Sequence, residues 1–256
     1  PANCFSKTAR LFMAAFTCIA RLPDMSAAER MDKQYRYQRY VYDLSRKYYL
    51  LGRDSLLRDI HLQGDETLLE IGCGTARNLL KLAYRYPDSQ LYGLDASALM
   101  LQQAQQKLRG TLYETAITLR QGLAEQINPQ HFGLAQPFDH LLFSYVLSMI
   151  PNWRDVLEQS LVLLKPGGYL HVVDFSDQKS MPAWFQQALN QWLGWFHVYP
   201  DPAVPAYLQQ LAERYQADLQ VHQLPGRYAV LAHLRTKPLA NDDAIKLPCI
   251  SAYLDF

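Results

Sequence analysis

Thr67–Leu80 reads TLLEIGCGTARNLL, and it changes character twice within fourteen residues. Thr67–Ile71 is a short apolar run of strand formers. Gly72, Cys73 and Gly74 break it at once, and Asn78, Leu79 and Leu80 then open a helical pattern. A strand that feeds a helix through a glycine turn leaves several backbone N–H groups unpaired at the helix start. Glycine has no Cβ, so such a turn lets a nucleotide-like ligand come close to the main chain. The pattern is E-x-G-x-G-x-A, not the full G-x-G-x-x-G of a dinucleotide site. Taken alone, it does not separate a ligand cradle from a plain tight connection.

Segments to either side extend the same plan. Leu91–Leu94 is a second strand that ends at Asp95, where an acid holds a ribose through its hydroxyls in folds of this kind. Asp95 also suits a cap for the helix Ser97–Leu108, with Ser97 the nearer cap, and the two roles are compatible. Ile117–Gln121 is a third strand. Phe138–Ser144 (FDHLLFS) is a fourth, nearly all apolar as a strand buried on both faces should be. An amphipathic helix over Arg154–Leu164, a Lys165-Pro-Gly-Gly turn and a fifth strand, Tyr169–Phe175, follow. Ala206–Tyr215 is a further helix, and Ala217–Gln223 and Arg227–Arg235 alternate as a hairpin around Leu224-Pro-Gly. The alternation predicts an α/β, Rossmann-like fold: a mostly parallel seven-stranded sheet with helices on both faces and an antiparallel edge strand.

The 256 residues, 49% apolar and 19% charged, suit one large α/β domain with additions. The expected organisation is an N-terminal extension over 1–26, a main domain over 27–238 and a loosely packed tail over 239–256. Within the domain, 27–60 forms a helical flap and 180–200 an aromatic helix or lid. A formal charge of +1 supplies no drive toward nucleic acid. Cys4, Cys18, Cys73 and Cys249 show no metal-ligand spacing, so neither a metal site nor a disulfide framework is expected, and a cytoplasmic location fits. No apolar run reaches the ~18–20 residues of a membrane span. Leu11–Ala20, after Lys7 and Arg10, is read as an upstream extension or frayed helix, with Met25 in the position of a natural start.

Much of the aromatic content, 17 Tyr, 10 Phe and 4 Trp, gathers in two places. In Ala27–Leu57, Tyr35, Arg39, Tyr42, Arg46 and Tyr49 recur at helical spacing, so one face carries both rings and cations. Either the tyrosines cover the sheet edge with the arginines in water, or the segment is a flap in which Arg46 or Arg53 meets a ligand carboxylate. The second place is a helical stripe, Met181, Trp184, Phe185, Ala188, Leu189, Trp192, Leu193 and Phe196. It roofs the cleft, or it dips its rings into a bilayer.

EIGCGTA, LYGLDAS, FDHLLFSYVLSM and LKPGGYLHVVDF stand in the order and spacing of class I S-adenosylmethionine-dependent methyltransferases, which the chain resembles over about Tyr35–Arg235. YVYDLSRKYYLLGRD, FSYVLSMIPNW and VVDFSDQ, followed by PAWFQQALNQWLGWFHVYP, look like the diacylglyceryl-homoserine N-methyltransferases of betaine-lipid synthesis. The resemblance implies S-adenosylmethionine as methyl donor, S-adenosylhomocysteine as product and no metal. It implies Glu70, Gly72, Cys73, Gly74, Thr75, Asn78 and Arg46 around the methionine part. Asp95, Ala96, Met100, Gly122 and Leu123 would hold ribose and adenine, and Ser144 and Tyr145 would lie beside the sulfonium. Ala76 replaces a frequent third glycine, and Leu123 replaces a frequent acid, which shifts the adenine contact toward backbone or Glu125.

An in-line methyl transfer needs alignment more than acid–base machinery, and no Ser–His–Asp or paired-carboxylate arrangement is visible. Tyr145, Asp174 and His197 are the candidate proton acceptors or substrate-orienting groups. His197 equally suits a satisfied histidine at a helix end, and Asp174 a cap after a strand. Tyr40, Tyr42, Tyr49 and Trp192 are candidate substrate contacts, with tyrosine rings facing a cationic amine. The resemblance implies a lipid amine substrate, peripheral contact with the inner face of a membrane, and the enzyme that supplies diacylglyceryl-homoserine as a partner. The alternative is a soluble small molecule, an amine or a quinone precursor. No nucleic-acid partner is expected.

Overall fold

The computed structural model describes residues 50–195 and 198–238. The flap before Leu50, with Tyr40, Tyr42, Arg46 and Tyr49, lies outside the described residues, as do His197 and the tail 239–256.

Seven strands form one sheet: β1 (Thr67–Ile71), β2 (Gln90–Asp95), β3 (Ile117–Gln121), β4 (Phe138–Ser144), β5 (Leu164–Phe175), β6 (Asp218–Gln223) and β7 (Ala229–Arg235). Their order is β3-β2-β1-β4-β5-β7-β6. The first five run parallel, and β7 returns antiparallel between β5 and β6. Burial follows that order. Every residue of β1 is buried, and β4 is buried except at Asp139, because helices cover both faces of these central strands. β6, outermost, is exposed at nearly every position.

Helices α1 (Arg53–Asp59), α2 (Arg77–Arg85), α3 (Ala98–Leu108), α4 (Trp153–Val162), α5 (Ala183–Gly194) and α6 (Val204–Arg214) connect or cover the strands. Gly52, at φ +83°, stands at the N-cap of α1. Ser97 caps α3 as expected, its Oγ accepting the Met100 N–H at 3.3 Å. Beneath the sheet, Tyr92, Phe132 and Phe138 meet edge to face, with centroids 5.4–5.9 Å apart, at the heart of the main apolar cluster.

One expected turn is absorbed into a strand. Lys165-Pro-Gly-Gly lies within β5, and the break shows only as a register shift between the Phe138 and His140 pairings. The reason is that its polar groups find partners beyond β7. Gly167 N–H donates to the Lys237 carbonyl at 3.0 Å, and Thr236 Oγ1 donates to the Lys165 carbonyl at 3.0 Å. Satisfied this way, the segment stays in the strand as a bulge, with Gly167 at φ +82°, where isolated turn chemistry favours a reversal.

Candidate active site

The strand order reverses between β1 and β4, which leaves a crevice beyond the carboxyl ends of the strands, where ligands bind in open parallel sheets. The TLLEIGCGTARNLL turn forms one wall. Gly72, Gly74 and Ala76 all hold positive φ, at +70°, +54° and +57°. Gly72 and Cys73 both donate to the Leu94 carbonyl, at 2.8 and 3.0 Å, so the turn is tied sideways to β2. Asp95 completes the tie. Its Oδ2 accepts the Gly74 N–H at 2.7 Å and its Oδ1 the Ser97 N–H at 2.8 Å, while its carbonyl accepts from Gly122 at 3.1 Å. The loops after β1, β2 and β3 thus meet on one residue.

Behind the turn, Asn78 Nδ2 donates to Glu70 Oε1 at 2.6 Å, and both side chains are buried. This bond fastens the start of α2 to β1. Cys73 is buried too, and burial, reinforced by the charges of Glu70 and Asp95, pushes its thiol far up. It stays a thiol and is no nucleophile. The bare side of Gly72 faces Val146: a Cβ built there would come within 2.4 Å of the valine Cγ2. Around Asp95 the surface is open and apolar, with Leu99 and Leu123 38% and 50% exposed and Ala96 exposed beside them.

The opposite wall comes from β4 and β5. Ser144 is buried, and Tyr145 sits at φ +57°, a conformation that a bulky residue adopts only when its surroundings hold it. Three contacts hold it: its N–H donates to the Val173 carbonyl at 2.7 Å, its ring packs edge-on to Phe175, and its hydroxyl donates to the Leu51 carbonyl. Burial, then the nearby Tyr228 and Asp174, raise the phenol well above its ordinary value, so it remains protonated. Asp174 is fully enclosed. Its Oδ1 accepts from Phe175 N–H at 2.7 Å and its Oδ2 from Ser148 N–H at 3.2 Å, yet burial outweighs these bonds and lifts the carboxyl to about 6. Asp174 lies within β5 and not after it, and its side chain reaches across to the Leu147–Met149 turn through the Ser148 N–H. Tyr199 N–H donates to the Ser148 carbonyl at 2.7 Å, which brings the segment after α5 to the same turn.

Glu70, Gly72, Cys73, Gly74, Thr75, Asn78 and Asp95 therefore share one wall, with Ala96, Met100, Gly122 and Leu123 at its rim. Ser144, Tyr145 and Asp174 belong to the other. Trp192 is buried at 7% exposure with Leu189 and Leu193, while Trp184 of the same stripe and Trp195, just past α5, are exposed at 65% and 43%. Val146, Ser148 and Leu51 were not among the expected site residues. Their parts rest on shape and backbone groups, and only the small-residue spacing of SYVLSM hints at them.

The chain belongs to a methyltransferase family, whose model, described as "Methyltransferase domain", matches residues 62–218. It is a class I S-adenosylmethionine-dependent methyltransferase. The demethylmenaquinone methyltransferase of Desulfitobacterium hafniense is 29% identical over 149 residues, 58% of this chain and 56% of that protein. That of Listeria welshimeri is 25% identical over 181 residues, 70% of this chain and 71% of its own. The trans-aconitate 2-methyltransferase of Pseudomonas paraeruginosa is 30% identical over 137 residues, 53% of this chain and 44% of its own. Among solved structures, the plantazolicin methyltransferase BpumL, in complex with an analogue and SAH, shares the fold at TM-score 0.62 and 12% identity, over 81% of this chain and 92% of its own. A SAM-dependent methyltransferase from Aquifex aeolicus does so at TM-score 0.55 and 17% identity, over 78% and 98%.

Gly72→Ala is expected to lose about 1–3 kcal/mol of stability through crowding against Val146, added to the cost of its positive φ. Urea unfolding of Gly72→Ala, Val146→Ala and the double variant checks this: the double variant should lose less than the sum of the two single ones.

Proposed function

We propose that this crevice aligns S-adenosylmethionine with a small-molecule acceptor, a quinone precursor or an amine. The observation that supports this acceptor class best is the 181-residue similarity to a demethylmenaquinone methyltransferase. The similarity to a trans-aconitate methyltransferase, by its name also an enzyme of a small molecule, agrees with it.

The residues present suit the donor. Asp95 is half-exposed and uses one lone-pair site of each oxygen on Gly74 and Ser97, which leaves acceptor capacity for ribose hydroxyls. Leu99, Met100 and Leu123 offer apolar faces on which an adenine ring would lie, with Ala96 and Gly122 at its edge. The Gly72–Gly74 turn with Thr75, backed by the Glu70–Asn78 bond, would take the methionine end. When bound, the donor supplies an activated methyl on a sulfonium, ready for in-line transfer. The chain's part is alignment and exclusion of water, which in favourable systems supplies up to about 7–11 kcal/mol. Ser144 and the Tyr145 ring would border the reacting pair. Asp174, ionised above about pH 6, would take the acceptor's proton or orient it through the Leu147–Met149 turn.

A second reading, the diacylglyceryl-homoserine acceptor of betaine-lipid synthesis, draws support from the exposed Trp184 and Trp195, rings suited to a bilayer interface. Among the described residues no helix is long and apolar enough to cross a membrane. Offering the purified protein each acceptor in turn with labelled donor separates the two readings. Label on a demethylated quinone or free amine supports the first; label only on diacylglyceryl-homoserine, with vesicle co-sedimentation lost in Trp184→Ser/Trp195→Ser, overturns it.

Asp95→Ala should weaken donor binding about tenfold to a hundredfold, the span of one or two charge-assisted hydrogen bonds, as calorimetry on the folded variant would read. The pH profile of kcat should rise through a midpoint near 6 as Asp174 ionises, and Asp174→Asn should remove that limb.

A further inference from the structure

Three histidines cross the interior of the sheet in a continuous row, away from the strand ends. His140 on β4, His171 on β5 and His233 on β7 share one face; His171 pairs directly with His233, and His140 with Tyr169, two residues from His171. His140 Nδ1 lies 3.0 Å from His171 Nε2, and His171 Nδ1 lies 2.8 Å from His233 Nδ1. A carboxylate stands at each end. Glu66 Oε2 is 3.3 Å from His140 Nε2, and Asp59 Oδ2, on the last residue of α1, is 3.8 Å from His233 Nε2. That His233 nitrogen is buried and makes no hydrogen bond.

Counting protons decides what such a row does. Two ring-to-ring hydrogen bonds hold two protons, and a donor toward each carboxylate needs two more. Three neutral imidazoles carry only three protons. The neutral row can therefore donate to one end only, and the shorter contact selects Glu66. His140 and His171 then carry their protons on Nε2, and His233 carries its proton on Nδ1, leaving Nε2 bare toward Asp59. We infer that His140, His171 and His233 form a single proton-binding site, polarised toward Glu66, that closes on one additional proton at His233 Nε2 against Asp59. This rests on the sheet alone and is independent of the acceptor proposed above.

The groups facing the row are few. Glu66 and Asp139 face His140, with Asp139 already bound to Lys165 and Thr67. Tyr169 stacks parallel to His140 and His171, with Arg235 over its other side. Asp59 on α1 and His222 on β6 face His233. Burial is the largest influence on all three rings and lowers each one's proton affinity, so the neutral row prevails at neutral pH. The sign follows: unfolded histidines take protons from about pH 6.5 downward while the native row takes at most one, so stability is full above that pH and falls as pH drops.

Nitrogen-15 NMR of the histidine-labelled whole chain tests the inference. At pH 8, His140 and His171 should show the Nε2–H tautomer and His233 the rarer Nδ1–H. On acidification the three rings should shift with one shared midpoint below 6.5. An Nε2–H tautomer at His233, or three separate midpoints, overturns it. In His171→Asn the terminal rings should titrate independently; should that variant fail to fold, the wild-type tautomers and midpoints decide by themselves. Between pH 7.5 and 5.5 the wild-type unfolding equilibrium should shift by roughly a hundredfold toward the unfolded chain, since two of the rings stay uncharged in the native state. An unchanged equilibrium counts against it.

Discussion

One carboxylate holds the working end of this molecule together. Strands that run parallel deliver all their carboxyl ends, and all the loops that follow, to the same edge of the sheet. Those loops carry backbone N–H groups with no ladder partner. Asp95 accepts two of them, from Gly74 and Ser97, and offers its own carbonyl to Gly122. Its negative charge also lies at the first turn of α3, where the helix dipole favours an anion. Charge-assisted bonds of this kind contribute about 1.5–3 kcal/mol each. The result is a wall whose shape exists before any ligand arrives, so little ordering is left to be done on binding.

The opposite wall is built on different terms. It depends on close packing: Val146 into the bare side of Gly72, Phe175 against the Tyr145 ring. Tyr145 carries a backbone conformation that costs on the order of 1–3 kcal/mol. Enclosure by Val173, Phe175 and Leu51 offsets that cost. The two walls are therefore coupled through Gly72 and Val146, and a change of volume at either is felt at both.

This contrast explains what could be read in advance. The parallel sheet was legible because burial on both faces writes itself into each strand alone, as in FDHLLFS. The Asp95 wall was legible because its parts lie within one β–turn–α–β run and use residue types with few other reasons to be there. The Lys165-Pro-Gly-Gly segment was not, since its place within the strand depends on Thr236 and Lys237, about seventy residues on. The Tyr145 conformation was not, because nothing in its own neighbourhood asks for positive φ. The histidine row was invisible for a sharper reason. His140, His171 and His233 meet only once the register of three strands is set, and a one-residue slip in any of them would turn its ring to the other face. The aromatic stripe gave its helix correctly but not which rings face inward: Trp192 is buried where Trp184 is not.

The sheet thus encloses two titrating systems, and their signs oppose. Asp174 takes its proton more readily in the native state than in the unfolded chain, so it favours the fold as pH falls from about 6 toward the ordinary carboxylate range. The histidines resist protonation in the native state and disfavour the fold over an overlapping range that begins higher. The three unfolded rings gain three protons where the native row takes one, and two withheld protons against one carboxyl leave the histidines dominant. The fold is consequently most secure where the row is neutral and Asp174 is ionised. Burial sets both systems, with no residue shared between them.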